Sequence, residues 1–360
     1  VTLTQEERIV DRRWDEAFAA YRRSDSRTPL LLAGDAAEVL ASLPNRCVDF
    51  VMTSPPYWGQ REYADGGIGL EDTAQEFVER LLAVTAEIYR VTKPSGSFWL
   101  NLGDTYRGKG LCLIPWRVAV AMTDSQGWIL RNTVVWHKVK GGLDNASDKL
   151  RNVHEPLLHF VKQQRGVYYD ADAIRKKPGE AKVVNGTVVS ASGVTGVRYK
   201  RQIELSTVLS DTEKAAAAEA LDAMLASVRA GELADFRMII RGQQRATHSD
   251  SKRVSGRARE LRDRGFYFLR YHPKGSKPAD VWDIIPEDSQ RRFGHFAPYP
   301  EDLCRIPLLA TCPPEGIALD PFCGTGTTNA VAQELGRKSV GIDLSPEYLE
   351  HAVERTTRLL

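Results

Sequence analysis

The stretch "TSPPYWGQREY", Thr53 to Tyr63, follows the apolar run "CVDFVMT" with a hydroxyl, two prolines and an aromatic ring. A short apolar run of this kind reads as a buried strand. Two prolines end it, because neither can donate a ladder hydrogen bond. Pro55 and Pro56 hold the turn rigid and leave the Pro55 carbonyl without a secondary-structure partner. The Ser54 hydroxyl and that carbonyl are then two acceptors placed for one NH2 group, and Tyr57 offers a flat face on which a heterocycle can stack. The group suits a planar base carrying an exocyclic amine. A plainer reading is a strand-to-turn exit with a packed aromatic, and the rest of the chain decides between the two.

A second candidate site lies in "GIALDPFCGTGTTNAVAQELGRKSVGIDLSPEYLEHAVERT". An apolar strand ends at Asp320, a Gly-rich turn follows, a helix over 328–335 stops at Gly336, and a second strand ends at Asp343. That order is the layout for a bound adenosine. Gly324 and Gly326 let the backbone approach a ligand, and Asp343 can accept hydrogen bonds from both ribose hydroxyls. The third glycine of the dinucleotide fingerprint would fall at Asn329, and there is no Walker lysine, so pyrophosphate and ATP are disfavoured. S-adenosylmethionine has no phosphate but carries a charged amino group, which an acid at Asp320 suits.

The elements that must position these residues alternate. A helix is expected over 4–24, with Thr4 and Glu7 as a capping box. "TPLLLAGDAAEVLASLP" gives a strand and a short helix, and "TAQEFVERLLAVTAEIYRVTK" an amphipathic helix closed by Lys93-Pro94-Ser95-Gly96. "SFWLNLG", "RNTVVWHK" and "EPLLHFVK" are further strands, with the helix of "LIPWRVAVAMTDSQGW" among them. Strands alternating with helices indicate an α/β fold with a mostly parallel sheet. Both candidate sites follow strand ends, and ligands of open parallel sheets bind in the crevice at that edge. The two can therefore share one cleft.

The rhythm breaks near Asp172. "RKKPGEAKVVNGTVVSASGVTGVRYK" reads as loops or short strands, and "SDTEKAAAAEALDAMLASVRAG" as a strong helix capped by Ser210 and Glu213 and stopped by Gly231. The expected organisation is an N-terminal helical extension over 1–29, a first α/β half over 30–172, an inserted module over 173–292, and a second α/β half over 293–360. The 1–29 helix either packs on the sheet or joins two subunits. His137, His154 and His159 share no metal spacing and read as packing or hydrogen-bonding residues, and Trp136 as core.

At 360 residues, with 42% hydrophobic and 27% charged content, the chain has the composition of a soluble globular protein. No stretch approaches the ~20 apolar residues of a membrane span, and the start lacks a signal peptide's apolar region. Five cysteines without a CxxC pair read as reduced thiols of a cytoplasmic protein, with no structural zinc or other metal expected. From Arg241 to Lys277, eleven Lys or Arg stand against three acids, a local balance of +8 in a chain whose net charge is +2. Such asymmetry points to a surface for a polyanion. Lys252, Arg253, Arg257 and Arg259 are its candidate phosphate contacts.

With "TSPPYWGQREY" early and "DPFCGTGTT" late, the chain resembles the amino-group DNA methyltransferases in the circular order that places the catalytic motif before the cofactor motif, the β arrangement. "GDAAEVLASLP", "GSFWLNLGDTY", "NTVVWHK", "HEPLLHFVK", "VWDI" and "HFAPYPEDL" extend the likeness in order. The resemblance implies a circularly permuted Rossmann-like fold and S-adenosylmethionine as cofactor. It implies that Ser54, Pro55 and Pro56 form the catalytic turn and that Tyr57 stacks on a flipped base. Asp320, Phe322, Gly324, Thr325, Gly326 and Thr327 would surround the cofactor. His295, Phe296 and Pro298 would line the same pocket, with Asp343 on the ribose and Asp35 at the adenine. The inserted segment would be the target-recognition region and duplex DNA the partner, the enzyme being associated with the nucleoid when bound. A second copy of the chain and a cognate restriction endonuclease stay open as further partners.

Carbon-5 cytosine methylation needs a cysteine nucleophile. No Pro-Cys dipeptide occurs, so that class is excluded. Amine methylation needs alignment and acceptors for the charge developing on nitrogen. Adenine-N6 enzymes of the family mostly carry Asp where Ser54 stands and cytosine-N4 enzymes carry Ser, which favours cytosine N4 over adenine N6. The rival classes are an RNA or protein amide methyltransferase and a catalytically silent nucleic-acid-binding relative.

Overall fold

The computed structural model describes residues 8–59, 67–140, 146–176, 181–184, 187–189, 196–242, 256–286 and 299–357. The first elements are β1 (Ile9–Val10), α1 (Trp14–Arg23), β2 (Leu30–Ala33), α2 (Ala36–Ser42), β3 (Val48–Thr53) and α3 (Ala74–Val91). They lead to β4 (Thr92–Asn101), the short β5 (Tyr106–Arg107) and β6 (Gly110–Leu111), α4 (Ile114–Ser125), β7 (Ile129–His137) and β8 (His154–Val161). The middle of the chain holds β9 (Lys182–Val184), β10 (Thr187–Val189), α5 (Gly196–Glu204), α6 (Asp211–Arg229), β11 (Asp235–Ile240), α7 (Gly256–Arg264) and β12 (Phe266–Tyr271). Last come β13 (Val281–Asp283), α8 (Glu301–Thr311), β14 (Ile317–Asp320), α9 (Thr327–Glu334), β15 (Lys338–Asp343) and α10 (Pro346–Thr357).

Two compact units result, one of 1–173 with 279–360 and the other of 174–278. The first is built on a nine-stranded sheet in the order β1-β2-β15-β14-β3-β4-β8-β7-β13. Among these strands only β8 runs against the rest, so the sheet is mostly parallel, as the alternating pattern predicts. Helices cover both faces, which is why β3 is buried along its whole length. Val51 faces a core with Phe77, Leu81 and Phe98, whereas Phe50 and Met52 face one with Trp99, Leu303 and Leu308. The strand order brings β14, from late in the chain, beside β3, from early in it. That adjacency sets the two sequence motifs on neighbouring strand ends.

Three expectations give way to the structure. The helix expected over 4–24 begins at Trp14, because Ile9 and Val10 pair with Leu31 and Leu32 of β2; Thr4 and Glu7 lie outside the described residues. Phe18 and Tyr21 of α1 are buried in the core, and the Lys338 ammonium donates to the Tyr21 and Arg22 carbonyls at 3.0 and 3.2 Å. The helix therefore packs on its own sheet. α3 closes at Val91, just ahead of Lys93-Pro94-Ser95-Gly96, but that stretch already belongs to β4, where a Cβ on Gly96 would come within 2.7 Å of the Asp49 carbonyl. Finally, the inserted unit closes at Pro278 rather than 292, since Val281 and Trp282 of β13 pair in parallel with β7.

Within the second unit, β11 and β12 form an antiparallel pair whose Phe236, Met238, Ile240 and Phe266 share a core with Leu221 and Leu225 of α6. The capping box at Ser210 and Glu213 is formed in both directions. Residues 196–204, in part read as loop, are the helix α5, held by Tyr199 and Ile203 against that core. No described helix is long and apolar enough to cross a membrane.

Candidate active site

The turn after β3 is anchored on several sides. Pro55 and Trp58 are buried, while Ser54, Pro56 and Tyr57 are half-buried. The Trp58 indole donates to the Glu71 carbonyl at 2.8 Å, and the Thr105 hydroxyl donates to the Trp58 carbonyl at 2.9 Å. The Arg107 guanidinium lies 4.6 Å above the Trp58 ring. Gly103 passes so close to Tyr57 that a Cβ there would sit 2.3 Å from the ring. One side of the ring thus rests on backbone.

Polar groups that the sequence reading did not single out converge on this turn. The Tyr57 hydroxyl is 2.9 Å from Glu155 Oε2 and 3.2 Å from Asn101 Oδ1, and the Ser54 hydroxyl donates to it at 3.3 Å. Asn101 Nδ2 donates to Glu155 Oε2 and to the Pro156 carbonyl at 3.3 and 3.2 Å. The Lys138 ammonium closes the group on Glu155 Oε1. Asn101 ends β4 and Glu155 is the second residue of β8, so an antiparallel neighbour delivers its first residues to the edge where parallel strands end. A polar residue closing the apolar run "SFWL" was the signal for Asn101; Glu155 had none stronger than its place in "HEPLLHFVK".

On the adjoining strand end, Asp320 is buried to 1% exposure. Its carboxylate accepts from the Thr53 hydroxyl at 2.6 Å, Thr328 at 2.7 Å, Tyr299 at 2.8 Å and the Phe322 amide at 3.2 Å. Burial raises the Asp320 pKa, and these four donors oppose the rise. Burial, then the neighbouring Asp320 charge, push Tyr299 well above its ordinary value, so it stays a donor. The carboxylate ties the end of β14 to the end of β3. Thr53 and Thr328 were passed over because a hydroxyl in an apolar strand or helix has no pattern of its own, and Tyr299, just before α8, because nothing near it in sequence ties it to β14.

The glycine loop divides into an edge and an interior. Phe322, Gly324 and Asp343 are half-buried, and the Gly324 amide donates to Asp343 Oδ2 at 2.8 Å across nineteen residues. Gly324 takes a φ of 49°, which favours glycine. Gly326 has a packing reason as well: a Cβ there would meet Ala352 of α10 at 2.8 Å. Thr325 and Thr327 are buried, and the Thr327 hydroxyl accepts from Arg355 at 2.7 Å, so these two shape the loop from within. Asp35 caps α2, its Oδ1 accepting from Ala37 and Glu38 amides. It follows β2, the strand paired with β15, which places it one strand along from Asp343. The edge residues Phe322, Gly324 and Asp343 fit an adenosine-bearing cofactor: an aromatic surface, close backbone approach and a carboxylate at the next strand end.

His295, Phe296 and Pro298 lie outside the described residues, as do Lys252 and Arg253. Arg257 and Arg259 are exposed on α7 in the second unit. Of the three histidines, His137 bonds Asp283 Oδ1 at 2.7 Å, His154 is exposed, and His159 is a packing group. His159 stacks on Trp99 at 4.1 Å and bonds the Ser97 hydroxyl at 3.1 Å, and burial lowers its pKa to about 3.

A proline turn bearing acceptors beside a glycine loop paired with an acid makes up the working parts of an S-adenosylmethionine-dependent methyltransferase. A family model described as DNA methylase (N6_N4_Mtase) matches residues 48–354, and the chain belongs to that family. It is 31% identical to the Type II methyltransferase M.SfiI of Streptomyces fimbriatus, over 93% of this chain and 92% of that one. It is 26% identical to the Type II methyltransferase M.SmaI of Serratia marcescens, over 93% of each. In fold it is similar to the solved PvuII DNA methyltransferase, described as cytosine-N4-specific, with a TM-score of 0.54, 16% identity, and coverage of 92% of this chain and 91% of that one. The chain is a DNA methyltransferase, and S-adenosylmethionine is its cofactor.

Proposed function

We propose that this enzyme methylates the exocyclic N4 amine of cytosine in duplex DNA, on a base flipped into the turn at Ser54–Tyr57. The observation that carries the reading is a neutral hydroxyl, Ser54, at the head of the proline turn, where family members acting on adenine mostly have a carboxylate. Ser54 Oγ and the Pro55 carbonyl accept from the amine, which orients its lone pair. Both contacts strengthen as positive charge grows on nitrogen, so they favour the transition state over the bound ground state. Tyr57 supplies a stacking face in place of the neighbours the base leaves behind, worth ~1–3 kcal/mol by analogy with single-strand stacking.

Bound S-adenosylmethionine supplies an electrophilic methyl group. Phe322, Gly324 and Asp343 hold its adenosine, with Asp343 accepting from the ribose hydroxyls and Asp35 near the adenine. The base leaves the helix because an exocyclic amine inside a stacked pair cannot present its lone pair in line. The second unit, with Arg257 and Arg259, is the DNA-reading part.

The test is binding and turnover on duplexes that differ only opposite the target cytosine. A mismatch there lowers the cost of flipping and is expected to tighten binding. Ser54→Ala is expected to depress kcat on the matched duplex while cofactor affinity stays within about twofold. Equal affinity for matched and mismatched duplexes, with unchanged kcat in the variant, would remove this reading.

A further inference from the structure

We infer that Glu155 sets the direction of the hydrogen bonds at the amine-binding turn, making it a positioning residue for methyl transfer. The inference rests on the proposed role of Ser54 as an amine acceptor. An ionised carboxylate only accepts hydrogen bonds. Asn101 faces two acceptors, Glu155 Oε2 and the Pro156 carbonyl, which fixes its amide with Nδ2 toward them. Lys138 holds the other carboxylate oxygen. Glu155 is thus pinned from two sides, and its Oε2 lies 2.9 Å from the Tyr57 hydroxyl.

A phenol has one proton to give. It goes to the charged carboxylate at 2.9 Å rather than to the neutral Asn101 Oδ1 at 3.2 Å, since charge-assisted hydrogen bonds are the stronger. The Tyr57 oxygen then faces Ser54 as an acceptor, and the Ser54 proton points to it across 3.3 Å, the loosest link of the chain. With its proton turned away, Ser54 Oγ presents lone pairs to an incoming amine. The polarity runs in one direction, from Ser54 through Tyr57 to Glu155.

A glutamine at 155 has the same shape but carries a donor. Its amide can donate to the Tyr57 oxygen, and the Tyr57 proton, no longer drawn to a carboxylate, is shared between Asn101 Oδ1 and Ser54, so the Ser54 proton is no longer held away from the amine. The experiment is steady-state kinetics of E155Q, Y57F and the double variant on duplex DNA, with folding followed by thermal melting. E155Q is expected to lose at least about tenfold in kcat while KM for DNA and for cofactor stays within about twofold. Because the ring in Y57F has no hydroxyl to pass the polarity on, Y57F/E155Q should be no slower than Y57F. Wild-type kcat in E155Q, or losses that multiply in the double variant, would overturn the inference. If E155Q does not fold, Glu155→Met, which removes the acceptor without adding a donor, is measured in its place: a kcat below wild type that Y57F masks supports the inference, and wild-type kcat overturns it. The underlying reading fails separately: Ser54→Ala would then keep wild-type kcat, whatever E155Q does.

Discussion

Thr53 and Asp320 are 267 residues apart in the chain, and the Thr53 hydroxyl donates to Asp320 Oδ1 at 2.6 Å. This one hydrogen bond joins the strand that leads into the proline turn to the strand that leads into the glycine loop. Removing a partner from a buried carboxylate costs more than removing an exposed hydrogen bond, because the charge keeps its desolvation penalty.

Thr53→Val should therefore lower stability by about 1.5–3 kcal/mol, the value of a hydrogen bond to a charged group. Asp320→Ala should cost at least as much, since it leaves Thr53, Thr328 and Tyr299 without their common acceptor. Urea unfolding measures both. Wild-type stability in Asp320→Ala would contradict the buried-hub assignment.

Asp343 is at the accessible edge, so its removal should act on the ligand. Asp343→Ala is expected to weaken S-adenosylmethionine binding by about 1.5–3 kcal/mol, one charge-assisted hydrogen bond. Calorimetry with the folded variant decides; unchanged affinity would move the ribose contact elsewhere.

How much of this could be read from the sequence depends on the kind of signal. Period and turn chemistry revealed β3, α3, α6 and the β14-loop-α9-β15 order, because each bears on residues close in sequence. Partners that meet only through the sheet order were invisible: Glu155 and Asn101 reach Tyr57 from β8 and β4, and Tyr299 reaches Asp320 from the start of α8. Asp320 shows the same limit. Its place before a glycine loop is legible, but the hydroxyls that surround it come from three separate segments. The N-terminal helix was overextended because Val10 fits helical spacing as well as a strand edge.

His159 is held neutral by burial on Trp99. Its pKa in the folded chain, about 3, lies below the ordinary 6.5, so the unfolded chain takes up the proton first. Its contribution to stability is complete above about pH 6.5 and fades as the pH falls toward 3. His159→Phe keeps an aromatic ring on Trp99 and should flatten the fall in melting temperature across that window. Parallel curves for the two proteins would contradict this.

Arg257 and Arg259 are exposed on α7. If both meet phosphates, Arg257→Gln with Arg259→Gln should reduce the slope of log affinity against log salt by ~0.9 for each phosphate no longer neutralised. Filter binding on duplex DNA at several salt concentrations measures it. An unchanged slope would place the DNA-contacting surface off α7.

The most direct measurement is nucleoside mass spectrometry of duplex DNA after incubation with the purified enzyme and S-adenosylmethionine. The Ser54 turn predicts N4-methylcytosine, with less formed by Ser54→Ala over the same time. N6-methyladenine in its place would leave the fold, the cofactor and the cleft standing and contradict the assignment of cytosine as the base that Ser54 and Pro55 receive.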